Sequence, residues 1–416
     1  MEHSISSKAR CLCAAAVICA LSAVTMAAAA GIEGALTQTR VIELSGAGMP
    51  DICLAATRVA EEEAKLIGAQ VRTLENPKLD LAAGPRNGEQ STFDAEVGLE
   101  IPVELGARRE KRIALAQAGI LREKHGVEDV RRRAVTAALA AYYRVLHAEE
   151  NLAVARERKQ LAEELVRIAT ERLGAGDAAK FEVNLAQTEL IRAESEISSA
   201  LGKREQARTA LARTLGLPAA ADLQVEGTIR DRNLFDAIRS AAPRERPDLL
   251  AARADLVAAE AAVSLAKAEQ LPDLALRLSY QREGDENIAL AGISVALPFV
   301  NPRRGPVLEA QAHRERARIA AEALKATVTA EQEGARRTYD AAIESVNRLE
   351  RDGLALQHEN ESLAAESYRA GKITLSTLIQ IRRELLETRR EYLDRLLEAA
   401  DAGVELAAAR GIWSTN

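Results

Sequence analysis

The sequence predicts a mainly α-helical chain that carries strands of a membrane β-barrel and is built as one unit present twice. Three observations predict it. Aromatic residues make up only 3% and charged residues 28% of the chain, with Ala, Leu, Glu and Arg dominant, which is the composition of long helices packed side by side. The stretch from Phe93 to Val103 alternates without a break, apolar at every odd position and acidic, Gly or Pro at every even one. The chain also matches itself at a shift of about 195 residues, far longer than a solenoid period, so a single unit is duplicated.

At the N-terminus, Lys8 and Arg10 precede an uncharged run from Cys11 that ends in Ala27-Ala28-Ala29-Ala30. This is the pattern of a secretory signal peptide over residues 1–30. The competing reading is an uncleaved anchor, because the run is long enough to span a membrane. Ile18 is bulkier than the residue that normally precedes a lipidated cysteine, so Cys19 is not read as a lipid site. Residues 31–49 read as a flexible segment. Cleavage would remove three of the four cysteines and leave Cys53, so no disulfide within the chain is expected. It would also make the formal charge, −6 for the whole chain, more negative by one unit, which argues against nucleic acid as a partner. Beyond the leader no run of 18 apolar residues occurs, so any membrane crossing has to use strands.

The duplication orders the rest. Asn76-Pro77-Lys78-Leu79-Asp80-Leu81 meets Leu271-Pro272-Asp273-Leu274-Ala275-Leu276, Ala175-Gly176 meets Ala370-Gly371, Glu189-Leu190 meets Glu384-Leu385, and Gly216 meets Gly411. Each copy, 50–216 and 247–411, reads as a short helix, two strands, a very long helix, a Gly-bearing turn and a medium helix. An inter-repeat segment, 217–246, joins them, and 412–416 is a tail. Strands are expected near 77–84 and 93–104, joined through Gly84-Pro85-Arg86-Asn87-Gly88, and near 272–281 and 288–299. In the second pair Leu274, Leu276, Leu278 and Tyr280 share one face, as do Ile293, Val295, Leu297 and Phe299. A half-buried soluble sheet is the competing reading.

Four strands cannot close a barrel, because the smallest membrane barrels use eight and an open edge in lipid leaves backbone groups unsatisfied. The barrel must therefore be shared, with eight strands from two chains or twelve from three. The helices are consistent with one another in length. Residues 106–173 and 304–369, if continuous, would each run about 100 Å at ~1.5 Å per residue. The short helix (50–75 or 247–271) stacked on the medium one (177–215 or 372–410) would match that length.

Taken together, Arg246-Pro247-Asp248-Leu249, Leu271-Pro272-Asp273-Leu274, Val295-Ala296-Leu297-Pro298-Phe299 and Tyr368-Arg369-Ala370-Gly371-Lys372 resemble the TolC-like outer-membrane efflux factors. Glu104-Leu105-Gly106-Ala107-Arg108-Arg109 with Arg112, and Gly176 to Val183, resemble the CzcC-like branch associated with cobalt, zinc and cadmium efflux. The resemblance covers nearly all of the chain beyond the leader. It implies a homotrimer with a twelve-stranded barrel in outer-membrane lipid and a long α-helical periplasmic tunnel. It also implies closure by inward-bending helices, a periplasmic adaptor protein and an inner-membrane RND-type pump as partners, and no cofactor. The adaptor would dock at the tips, Leu173-Gly174-Ala175-Gly176-Asp177 and Arg369-Ala370-Gly371-Lys372-Ile373. Thr377 and Gln380 stand where some members place inward aspartates, so an aspartate ring is not expected. Glu182 and Tyr368 are candidate gate contacts.

Asp94, Glu96 and Glu100 would point into the barrel lumen if the apolar strand face meets lipid, and hydration of a water-filled channel accounts for them as well as cation passage does. His125, His147, His313 and His358 have no second His or Cys at i+3 or i+4, so no metal site is expected. Tyr142 and Tyr143 read as packing between helices. No phosphate loop, nucleophile elbow or metalloenzyme spacing occurs, so no enzyme is predicted. Two other roles fit parts of the pattern: a conduit for drugs or for type I protein secretion, and a periplasmic adaptor with a coiled-coil hairpin. The adaptor would have one hairpin between split β-rich halves, whereas here each copy has its own strand pair.

Overall fold

A computed structural model describes residues 34–46, 49–86, 92–218, 223–297, 299 and 301–413, without the side chains of 355, 357 and 358. The predicted leader, Asn87 and Gly88 of the first hairpin, and Pro298 lie outside the described residues. The chain forms two compact units, one from residues within 1–53, 128–246 and 328–416, the other from 54–127 and 247–327.

The second of these units holds the sheet. Strands β1 (Lys78–Arg86), β2 (Thr92–Val103), β3 (Leu274–Glu283) and β4 (Glu286–Val295) pair antiparallel in the order β1-β2-β3-β4. The two copies are joined through β2 and β3, with Leu99 opposite Leu79 and Leu278, and Val97 opposite Leu81 and Tyr280. Because side chains alternate along a strand, this register puts Leu79, Leu81, Val97, Leu99, Leu276, Leu278, Tyr280 and Ile293 on one face. Leu81 is 71% and Ile293 68% exposed, so the described residues do not cover that face. The outer edges of β1 and β4 have no partner among the described residues.

Below the strands, Gly106 (φ 71°) and Ala107 (φ 53°) turn the chain into the first long helix, and Arg303 (φ 50°) does the same in the second copy. A Cβ at Gly106 would sit 2.4 Å from Leu271 Cδ1, so the junction needs glycine for space as well as for conformation. Arg108 fastens it, donating to Asp273 Oδ1 (2.5 Å), Leu271 O (2.5 Å) and Ala268 O (3.2 Å).

Ten helical stretches complete the described chain: α1 (Gln38–Ser45), α2 (Pro50–Ala69), α3 (Arg108–Ala175), α4 (Lys180–Thr214), α5 (Asn233–Ser240), α6 (Pro247–Ala268), α7 (Arg304–Arg348), a π-helical turn (Leu349–Gly353), α8 (Leu354–Arg369) and α9 (Leu375–Ala409). Among the described residues no helix is long and apolar enough to cross a membrane. Two findings differ from the sequence reading. The second long helix is helical throughout but contains a π turn, at Leu349–Gly353, that departs from the regular α-helix of the first copy. Part of the segment read as flexible is the ordered helix α1, held where Leu36 N–H donates to Gln224 O (2.7 Å) and Glu226 N–H to Leu36 O (3.0 Å).

The core of the first unit is an aromatic node. Tyr142 and Tyr143 meet edge to face at 5.2 Å, Tyr143 lies 5.5 Å from Phe235, and Phe235 lies 6.3 Å from Tyr339. Phe235, on the short α5, sits against Gly403 of α9, where a Cβ would come within 2.5 Å of the ring. The polar ends are satisfied: Tyr142 donates to Glu226 O (2.8 Å) and Tyr339 to Asp236 (3.2 Å).

Candidate functional site at the helix tips

Both predicted tips lie in the first unit, and both are closed by the same hydrogen-bond pattern. At the end of α3, Gly176 (φ 82°) donates to Leu173 O (3.1 Å) and Asp177 to Arg172 O (2.9 Å). At the end of α8, Gly371 (φ 70°) donates to Tyr368 O (3.0 Å) and Lys372 to Ser367 O (2.8 Å). These paired bonds around a left-handed residue satisfy the last helical carbonyls, and the left-handed φ is what glycine supplies without strain. Leu173, Gly174, Ala175, Gly176 and Asp177 are all exposed, as are Arg369, Ala370, Gly371 and Lys372, while Ile373 is half-buried.

One small core carries both tips. Leu165 and Ala169 of α3, Val183 and Ala186 of α4, Ala364 and Tyr368 of α8, and Leu375, Leu378 and Ile379 of α9 pack together. Tyr368 is 1% exposed, its hydroxyl is buried, and Arg172 lies over its ring at 5.1 Å and interacts with it. One carboxylate oxygen of Glu182 is buried without a partner. Thr377 belongs to a helix cap, giving its N–H to Thr374 Oγ1 (3.3 Å), and Gln380 is exposed. The sequence reading did not single out Arg172, since an arginine in a last helical turn is ordinary.

Just above, α4 and α9 are tied over α3. Arg158 donates to Glu196 (2.5 Å) and Glu189 (3.4 Å), Arg383 to Glu189 (2.8 Å), and Arg390 pairs with Glu196. Glu189 is buried, and a buried carboxylate is tolerable only with such partners.

The predicted lumen acids are mostly neutralised. Asp94 accepts from Arg86 (2.7 Å) and from Gly284 N–H (3.1 Å), and Glu100 pairs with Arg277 (3.0 Å), whereas Glu96 is exposed opposite Ala82 and Gln281. A second acidic row was not foreseen. Glu384, Glu387, Glu391, Asp394, Glu398, Asp401 and Glu405 recur at alternating steps of three and four along α9, which keeps them on one helix face. All are exposed except the half-buried Asp401. Part of this row borders an open groove of about 1280 Å³ whose lining also includes Arg132, Arg246 and Arg395. Burial raises the Asp401 carboxyl above the ordinary range, while Arg144, 3.7 Å away, opposes that rise. His147 lies 2.8 Å from Asp394. Among the described residues no group of three or more His, Cys, Asp or Glu side chains could hold a metal ion.

The family model described as "Outer membrane efflux protein" matches residues 44–217 and 238–411. The chain belongs to this family. Among the curated relatives of this efflux protein, the cobalt-zinc-cadmium resistance protein CzcC of Cupriavidus metallidurans is 24% identical over 386 residues, covering 90% of this chain and 89% of that one. The pyoverdine export outer membrane protein OpmQ of Pseudomonas aeruginosa is 27% identical over 288 residues, covering 65% and 57%. The outer membrane channel CmeC of Campylobacter jejuni superposes with a TM-score of 0.72 at 17% identity, over 91% of this chain and 86% of that one. The efflux protein therefore has the mainly helical fold with an antiparallel four-stranded sheet that the sequence predicts, and by family it is an outer membrane efflux protein.

Proposed function

We propose that three copies of this chain close a twelve-stranded barrel in the outer membrane above a helical tunnel, forming the passive outer conduit of a tripartite efflux system. The observation that carries this is the sheet: four strands, one exposed apolar face, and edges at β1 and β4 that no described residue pairs. In lipid such edges have to be paired by another copy. The signal-peptide pattern supports export from the cytoplasm. A periplasmic adaptor and an inner-membrane RND-type pump are the partners this reading requires, with the adaptor meeting the exposed tips.

The cargo we propose is divalent heavy-metal cations. Similarity to the cobalt-zinc-cadmium resistance protein supports this. The strand acids contribute little, since arginines neutralise Asp94 and Glu100. Similarity to a pyoverdine exporter supports a second reading, in which the cargo is an organic molecule. Deleting the gene should lower tolerance to cobalt, zinc or cadmium in growth assays. Unchanged tolerance to all three, with new sensitivity to organic drugs, would overturn the metal reading and favour the second.

A further inference from the structure

The two ends of the sheet carry opposite charge. Where the strands meet the helices, residues 70–78, 104–112, 267–273 and 301–306 hold nine basic and five acidic side chains, all within the second unit. At the other end, the described residues 82–86, 92–96 and 281–289 hold two basic and five acidic ones.

Part of the basic set holds the junction together. Arg108 is tied to Asp273 and to two carbonyls, Arg112 donates to Glu104 (2.7 Å) and to Val71 O (3.3 Å), and Arg303 donates to Asp273 (3.3 Å). Four other cations, Arg72, Arg109, Lys267 and Arg304, are exposed and have no acidic partner among the described residues. Arg109 gives its Nε–H to Gln70 O (2.9 Å), and its two terminal nitrogens stay without a partner among those residues.

Large apolar side chains are interleaved with these cations. Leu74 is 65%, Leu297 67% and Phe299 81% exposed, and the uncovered apolar face of the sheet begins close by at Leu79 and Val103. A soluble anion or an acidic protein would neutralise the cations and leave the apolar groups in water. A phospholipid meets both, because its phosphate lies at the level where its acyl chains begin. Unpaired guanidinium groups bind phosphate as a two-pronged fork, and an anionic headgroup brings no ammonium of its own to compete for that phosphate.

We propose that this rim is a collar for anionic phospholipid, in which Arg72, Arg109, Lys267 and Arg304 bind headgroup phosphates while Leu74, Leu297 and Phe299 sit among the first carbons of the acyl chains. It rests on the reading of the sheet as part of a membrane barrel and adds which lipid that barrel holds.

The test titrates the full-length protein, extracted in a neutral detergent, with dioleoylphosphatidylglycerol or dioleoylphosphatidylethanolamine, and native mass spectrometry counts the lipids retained per particle. Phosphatidylglycerol should bind about tenfold more tightly, and the difference should shrink as ammonium acetate is raised. Replacing the four cations with glutamine should bring the preference below about twofold, while Arg282→Gln at the opposite rim should leave it unchanged. If the fourfold variant does not assemble, Arg72→Gln decides, since that side chain meets no acidic partner among the described residues, and it should lower the preference about twofold. Equal affinity for the two lipids in the wild-type protein overturns the collar, and so does a preference that the substitutions leave intact. Displacement of the lipid by glycerol 3-phosphate at matched concentration also overturns it, as the mark of a free-anion site. The same spectra count the chains, so equal affinity in an intact particle of three strikes the collar and not the barrel.

Discussion

Replacing Ala175 or Ala370 with tryptophan is expected to abolish export while leaving assembly and heat stability nearly unchanged. Both alanines are exposed, and a Cβ added at the neighbouring Gly174, Gly176 or Gly371 would meet nothing within 4 Å, so the tips have room for a large side chain in the chain alone. A surface change of this kind alters folding by roughly 0.5 kcal/mol or less. The proposed adaptor, by contrast, would have to bring its own backbone against these residues, and an indole there would hold it several ångströms off. Three chains would present six such loops, so each variant would place three indoles in the docking ring. Cell growth on cobalt, zinc or cadmium, together with the melting profile of the purified protein, separates the two effects. Full activity in both variants, or a collapsed melting profile in either, would remove the tips as a docking surface.

The largest effect on stability is expected at the aromatic node. Phe235 is 1% exposed and fills the space between Tyr143, Tyr339 and the bare backbone at Gly403. Truncation to alanine removes buried area and leaves a cavity, a combination that costs about 3–5 kcal/mol for phenylalanine. The helix bearing Phe235 has only eight residues, too few to persist without its tertiary contacts, so its loss should also release the pairing around Leu36. Phe181, 65% exposed near the first tip, is the control, and Phe181→Ala should change stability by no more than about 0.5 kcal/mol. Thermal unfolding of the two variants side by side reads the difference. Equal midpoints would mean that the node does not hold the first unit together.

Much of this architecture was legible because periodicity and self-similarity are local signals. The alternation from Phe93 to Val103 survives as β2, and Gly176, Gly371, Gly216 and Gly411 all terminate helices with left-handed φ at positions related by the duplication. The remainder depends on which side chains the fold brings together. No spacing announces that Arg172 covers Tyr368, or that Arg86 and Arg277 neutralise Asp94 and Glu100, since each pair joins different elements. Phe235 lies in a short segment between the repeats, where eight residues give too little periodicity to stand out. The π turn is invisible for a related reason: Leu349-Glu350-Arg351-Asp352 contains good helix formers, and the break shows only in the hydrogen bonding. The carboxylate row on α9 was readable from its three-and-four spacing, but the arginines interleaved with it gave the look of an ordinary solvated face.

The shared barrel is the central claim, and the mass of the assembly extracted from outer membranes tests it most directly. Native mass spectrometry or crosslinking of the detergent-solubilised protein should give three chains per particle, the number that turns four strands into a closed ring of twelve. A particle of two chains, or recovery of the protein from the periplasm as a soluble monomer, would contradict it.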